Sequence, residues 1–344
     1  MVPFSGKDLG LDASASRRAW QATNVRRFLA FCLPTVILIP VLSSSEGPAG
    51  WLIPFIGPWR VGADIGVTGE PEADDFARLT ATSRLRVHPW FDEHNEVVLS
   101  GTWQRAWIDT GHTFANGQPL PDRLQATTAN VLYRHVADDG VIFGVDAAVT
   151  SSDRDPFSSG VGTSVSAAAF VRLPRGRNAW ILSLVYLESS PVLGGVPLPG
   201  VLYQWNPRRE LQVLVGVPLM FVRWQASAQT SITAFATMFG TARIDGNFTP
   251  LPEQSWWQIT ATIAYESESY GWPTELADDE EVIFSAARAT IGTRAKWPRP
   301  GEVELFGGWQ AARRVIIGTS LFDRETELVV DPGPILGLKA TFRF

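Results

Sequence analysis

The chain has 344 residues with a formal net charge of −6, 19% charged residues and a mean hydropathy of +0.03, which excludes an intrinsically disordered chain. Arginine carries nearly all of the positive charge, since lysine occurs only at Lys7, Lys296 and Lys339. Mild acidity with no clustered basic face argues against a nucleic-acid partner. The one cysteine, Cys32, lies in the N-terminal apolar run, so a chain processed beyond it has no thiol chemistry.

Residues 28–42, FLAFCLPTVILIPVL, follow Arg26 and Arg27 and lead into Ser43, Ser44 and Ser45. A positive flank, a short apolar core and a small-residue exit are the pattern of a cleaved secretory signal, expected to cover residues 1–45. Pro34, Pro40 and the shortness of the run disfavour a membrane-anchor helix. The polar stretch before Arg26 is long for a signal, and initiation at Val25 would give a compact one. Residues 46–58 are then a short periplasmic lead-in.

From about residue 59 the sequence alternates with period two, the signature of strands whose two faces meet different surroundings. In 76–88, Ala77, Leu79, Ala81, Leu85 and Val87 share one face, while Arg78, Thr80, Thr82, Arg84 and Arg86 share the other. In 281–297, Ile283, Ala287, Ala289, Ile291 and Trp297 oppose Arg288, Thr290, Arg294 and Lys296. In 301–311, Val303, Leu305, Trp309 and Ala311 oppose Glu302, Glu304 and Gln310. Strands are expected near 59–67, 76–88, 95–108, 122–135, 139–151, 160–173, 178–189, 201–206, 210–225, 229–242, 255–267, 281–296, 301–314 and 335–344, about fourteen within a range of about 12–16. Most exceed the roughly 9–11 residues that a tilted strand needs to cross a bilayer. The fold class implied is all-β: a transmembrane antiparallel up-and-down barrel over 59–344.

Connections at 136–140, 173–178, 206–210 and 297–302 are tight, whereas 109–121, 152–159, 190–200, 268–280 and 315–334 read as longer polar loops on the opposite side, the habit of such barrels. The connections 243–254 and 226–228 break that rule, one too long and the other too short for its side. Trp59, Trp90, Trp180, Trp205, Trp256, Trp257 and Trp297 fall at expected periplasmic strand ends, and Trp107, Trp224 and Tyr265 near outer ends, where an indole suits the head-group level.

The last strand carries Leu336, Leu338, Ala340, Phe342 and a terminal Phe344 on one face. It resembles the terminal strand of bacterial outer-membrane proteins, in which the final aromatic is read by the barrel-assembly machinery. That resemblance implies outer-membrane localisation in a Gram-negative-type bacterium, with outer-membrane lipid as partner and Phe344, Phe342 and Leu338 as the assembly signal. PGVLYQWNP (199–207) and GVPL (216–219) are similar to outer-membrane barrel families grouped as domains of unknown function, which implies no activity.

The candidate functional residues are those on the expected lumen face: Arg78, Arg84, Arg86, Arg288, Arg294, Lys339 and Arg343, with Asp146, Glu266, Glu302 and Glu304 beside them. Around a wet passage such a ring sets ion preference; in a closed interior the same groups form an ion-pair network. The expected function is thus a passive channel or small-solute transport barrel, the alternative a non-conducting structural or adhesive barrel. A rim hydrolase is a distant third, with Asp109 and His112, Asp74 and Asp75, or Asp153 and Asp155 as its acidic and imidazole groups. No G-x-S-x-G or H-E-x-x-H occurs, so neither catalysis nor a metal or cofactor is expected. The Asp-rich stretches 68–75 and 275–281 are candidates for weak divalent-cation contact. Arg105 is a misfit, since it shares a face with Trp103 and Trp107 and so points toward lipid unless the register slips.

Overall fold

In a computed structural model the chain divides into two units, residues 1–40 and 41–344. The structure describes residues 60–73, 75–114, 117, 119–152, 156–157, 162–188, 195–238, 240–251, 253, 256–271, 281–297, 301–318 and 324–344. The expected signal at 1–45, the lead-in at 46–58 and Trp59 lie outside these residues.

Chain order begins with four long strands, β1 (Val61–Ala73), β2 (Phe76–Phe91), β3 (Asn95–Thr110) and β4 (Arg123–Val136). Then come β5 (Ile142–Ser151), β6 (Thr163–Arg175), β7 (Asn178–Leu187) and β8 (Leu198–Arg208). Four short strands follow, β9 (Leu211–Val217), β10 (Leu219–Gln225), β11 (Thr230–Thr237) and β12 (Thr241–Phe248). The wall rises again through β13 (Trp257–Gly271), β14 (Glu281–Lys296), β15 (Gly301–Gly318), β16 (Arg324–Val330) and β17 (Gly333–Arg343). Consecutive strands from β1 to β16 pair antiparallel, β16 and β17 both pair with β15, and β17 returns to pair with β1, so the sheet closes on itself. Closure leaves no exposed edge, the condition for a sheet to exist in lipid.

The described residues form sixteen wall strands rather than about fourteen, because β16 and β17 lie on β15 in one register, Arg313 opposite Val330 and Gln310 opposite Gly333, with Asp331 and Pro332 as an interruption. Two expected strands are each two. The run 210–225 turns at Val217–Pro218 into β9 and β10, and 229–242 turns after β11 into β12. Nothing in their apolar alternation marks these reversals. The expected loop 315–334 is also corrected: it holds the end of β15 and all of β16. With these changes 226–229 falls on the side of the termini, where turns are short, and Trp224 moves with it from the outer to the inner end.

One tight inner turn shows how local chemistry fixes a reversal. Asp92 Oδ1 accepts hydrogen bonds from the backbone N–H of His94 at 2.8 Å and of Asn95 at 2.6 Å. The His94 N–H, with those of Asn95, holds the Asp92 carboxyl below the usual carboxylate range. A depressed folded-state pKa gives stabilisation that is present above the unfolded-state value and is lost as pH falls through the folded one. Acidification below the ordinary Asp range should therefore loosen this turn in the wild type, seen as faster amide exchange at His94 and Asn95. In Asp92→Ala that exchange should be fast already at neutral pH and carry no acid transition.

Glycine matters where rings cross the wall. The Phe306 ring covers Gly337 in the adjacent strand, and a Cβ at 337 would lie 2.1 Å from Phe306 Cζ. Gly337→Val should therefore displace that ring and cost about 1–3 kcal/mol, read as a lower urea midpoint for the refolded barrel.

Candidate functional site

Alternation sorts the wall into two faces. Ile263, Ile291, Leu305, Trp309, Val329, Leu336 and Leu338 point outward and are exposed. Such a belt on a closed barrel faces hydrocarbon. Trp90, Trp180, Trp205, Trp224, Trp256 and Trp297 are likewise exposed, all near strand ends on the terminus side, and Trp257 Nε1 donates to Thr293 Oγ1 at 2.6 Å there. Trp107 lies toward the other end of β3.

The opposite face holds most of the strand charges, and many of them are paired. Glu70 of β1 is buried between two arginines: Arg78 Nε donates to its Oε1 at 2.7 Å, and Arg313 Nη2 to its Oε2 at 2.8 Å. Arg78 also reaches Glu268 across the lumen at 3.3 Å. Arg288 pairs with Glu266, and Arg243 with Asp245 at 2.7 Å and Glu266 at 3.3 Å. Arg294 meets Glu304 at 2.9 Å, while Arg84 stands 3.9 Å from Asp64. Lys339 Nζ lies over the Phe306 ring, 5.2 Å from its centre. Arg86 and Arg343 lie opposite one residue, Gly62, from its two sides, on the same face near the inner mouth. Glu302 faces Lys296 in register, and Asp146 accepts from Asn130 Nδ2 at 2.8 Å. Lower in the barrel Glu96 is buried with Arg134, whose Nε donates to it at 2.8 Å, and with His88 Nδ1 at 2.9 Å.

Apolar groups share this interior. Phe76, Ala106, Ile108 and Leu124 of β2–β4 meet Tyr270, Val282, Phe284, Val315, Ile317 and Val330 of β13–β16 in one buried cluster, capped by Phe114 and Leu120 from the 111–122 connection. Two walls far apart in sequence thus touch across the lumen, and Cα atoms of β4 and β13 come within 8 Å of each other. Gln104 Nε2 donates across the same gap to Tyr270 Oη at 2.6 Å. A second buried cluster, Ile142, Phe170, Ile181, Leu202, Leu214, Leu219 and Phe221, lines β5–β10. Ile181 and Leu214 face inward yet are only 1% exposed, so that side is filled as well. Beneath the first cluster is a small cavity lined by Glu70, Arg78, Glu266, Glu268, Arg288 and Arg313 among others.

The fold is a closed antiparallel β-barrel with an apolar outer face. Solved structures similar to it include an outer membrane channel from Pseudomonas putida F1, with 10% identity and a TM-score of 0.37 over 84% of this chain and 97% of that one. The Pseudomonas putida toluene transporter TodX matches at 9% identity and a TM-score of 0.33 over 88% and 94%. The β domain of the Bordetella autotransporter BrkA matches at 7% identity and a TM-score of 0.30 over 83% and 99%. No family model and no curated protein matches the chain.

Several lumen residues were not singled out by sequence. Asp64, Glu96 and Arg134 follow the same alternation that assigns Arg78, whereas Asp245 and Glu268 fall in segments that read as connections, 243–254 and 268–280. Glu70 was placed in the acidic stretch 68–75, which is mostly strand rather than a cation loop. Of the rim hydrolase groups, Asp109 is exposed at the end of β3, and the His112 N–H donates to Thr110 Oγ1 at 3.1 Å. Asp74, Asp153, Asp155 and the 275–280 stretch lie outside the described residues.

Proposed function

We propose that this chain is an outer-membrane barrel whose lumen is closed by its own side chains and which holds no standing pore. The observation that carries this reading is the apolar cluster joining β2–β4 to β13–β16 across the outer half. An ion passing it would shed its water among Phe76, Tyr270 and Phe284, and apolar constrictions of this kind stop conduction. The paired arginines below fit an internal ion-pair network better than a ring left free to attract anions.

Planar-bilayer recording of the refolded barrel tests this. The expected result is a silent wild type, with steps of conductance appearing in Phe76→Ala/Tyr270→Ala/Phe284→Ala. Steady wild-type conductance would replace the closed reading with the channel one. A gated passage is the second reading, favoured by the charged cavity under the cluster. It requires the cap formed by Phe114 and Leu120 to move, and so predicts brief wild-type openings rather than silence. Because carboxylates alternate with the arginines, the opened variant should select only weakly between anions and cations in salt-gradient reversal potentials.

A further inference from the structure

On the outward face of a membrane barrel a charge is costly at hydrocarbon depth and tolerated near the head groups. Arg105 faces outward without any slip of register: it lies opposite Gln125 on β4 and Ala81 on β2, both in step with the surrounding pairs. Its guanidinium is held in place. It sits 5.0 Å from the centre of the Trp103 ring and 5.8 Å from that of Trp107, and Nη2 donates to Gln125 Oε1 at 2.6 Å. Its Nε is buried with no hydrogen-bond partner. A second cation, Arg123, lies opposite Trp107 on the same face and is exposed. Among the described residues neither arginine has a carboxylate partner. Asp109, exposed further toward the rim, makes no ion pair with either, and the outward Arg314 has Glu327 at 3.3 Å.

Depth follows from the strand. Trp90, an inner-end aromatic, faces Val97 in β3. A tilted strand crosses the hydrocarbon in about 9–11 residues, and that interval from Val97 ends at Trp107. Arg105 and Arg123 therefore stand at the outer head-group level, one on each side of an indole. Two guanidiniums that make no ion pair among the described residues are complementary to a phosphate, which accepts forked hydrogen bonds from arginine. Indole rings beside them suit the upper acyl chain or sugar of the same lipid.

We infer that Arg105, Arg123, Gln125, Trp103 and Trp107 form an external docking site for the phosphorylated head group of an outer-leaflet lipid. The inference rests on the barrel spanning the outer membrane and is independent of whether the lumen conducts. The test is native mass spectrometry of the full barrel refolded in uncharged detergent, titrated with diphosphoryl lipid A or with phosphatidylcholine. The expected result is retention of one lipid A at concentrations at least tenfold below those needed for phosphatidylcholine. That preference should be lost in Arg105→Gln/Arg123→Gln, with heat-modifiable migration on gels confirming the fold. Should the double variant fail to fold, Arg123→Gln alone serves, since Arg123 is exposed and packs no core; it should lose at least half of the preference. Inorganic phosphate at equal concentration should not displace the lipid. Equal retention of both lipids, unchanged preference in the folded variant, or displacement by inorganic phosphate would each overturn the assignment. A barrel that fails to insert in vesicles at all would instead remove the outer-membrane reading beneath it.

Discussion

Replacing Glu70 by Gln should destabilise the barrel by about 3–5 kcal/mol, because it removes the one anion shared by two buried cations. Arg78 and Arg313 approach Glu70 from opposite walls of the closure, at 2.7 and 2.8 Å. Each also rests on a ring, Arg78 at 4.8 Å from the Phe284 centre and Arg313 at 4.9 Å from that of Phe76. With Glu70 neutral, Arg78 keeps Glu268 at 3.3 Å, and Arg313 keeps only the backbone carbonyl of Asp331 at 2.9 Å. Arg313→Gln should therefore cost less than Glu70→Gln, and the double variant should recover part of the loss, a coupling measurable by urea unfolding of the barrel in lipid vesicles. Added salt should change little, since buried pairs escape screening. A Glu70→Gln barrel within 1 kcal/mol of wild type would show that the cluster is wet and that the apolar closure above it does not exclude water.

The same cluster shows where sequence reading stops. Alternation alone puts Arg78 on the face opposite Leu79 and Ala81, and its guanidinium meets Glu70, Glu268 and the Phe284 ring. Arg313 could not be placed in this way. Counted from Glu302, Glu304 and Gln310 it falls on the lipid face. It turns inward only because Ala312 adopts a left-handed conformation, φ 50°, in a bulge opposite Ser285 and Ala287. A bulge of this kind inserts one residue and inverts every later assignment, and an alanine announces nothing. The long strands were legible because each keeps its period for more than a bilayer's thickness. The short strands β9–β12 were not, since their reversals at Pro218 and near Gly240 sit inside continuous apolar runs. Closure of the lumen was hidden for another reason. Phe284 reads as an ordinary member of its strand and Tyr270 falls in the expected loop 268–280, and only the curvature of the wall gathers them with Ile108 and Leu124 in one buried cluster. The outer belt needed no such information, and Arg105 faces outward with Trp103 and Trp107 in unbroken register.

Replacing Phe344 by Asp should nearly abolish folded protein in cells while leaving the refolded barrel's stability almost unchanged. The backbone at this position closes the sheet: Phe344 N–H donates to Val61 O at 2.8 Å, and its carbonyl accepts from the N–H of Arg60 at 2.8 Å. Those bonds survive the substitution. The side chain, by contrast, is 66% exposed and points away from the lumen, so it contributes little to internal packing. At the inner interface a charge on the lipid face costs only about 0–1 kcal/mol. A large loss in vivo therefore has to come from recognition of the terminal strand before the barrel closes. Deleting the residue should be worse in both settings, since it also removes the seam bonds. The measurements are heat-modifiable protein in outer-membrane fractions and urea midpoints after refolding in detergent, taken for both variants. Normal amounts of folded Phe344→Asp in cells would refute a signalling role for the terminal aromatic. An equal fall in stability in vitro would show that the ring acts as a structural clasp on β1 instead.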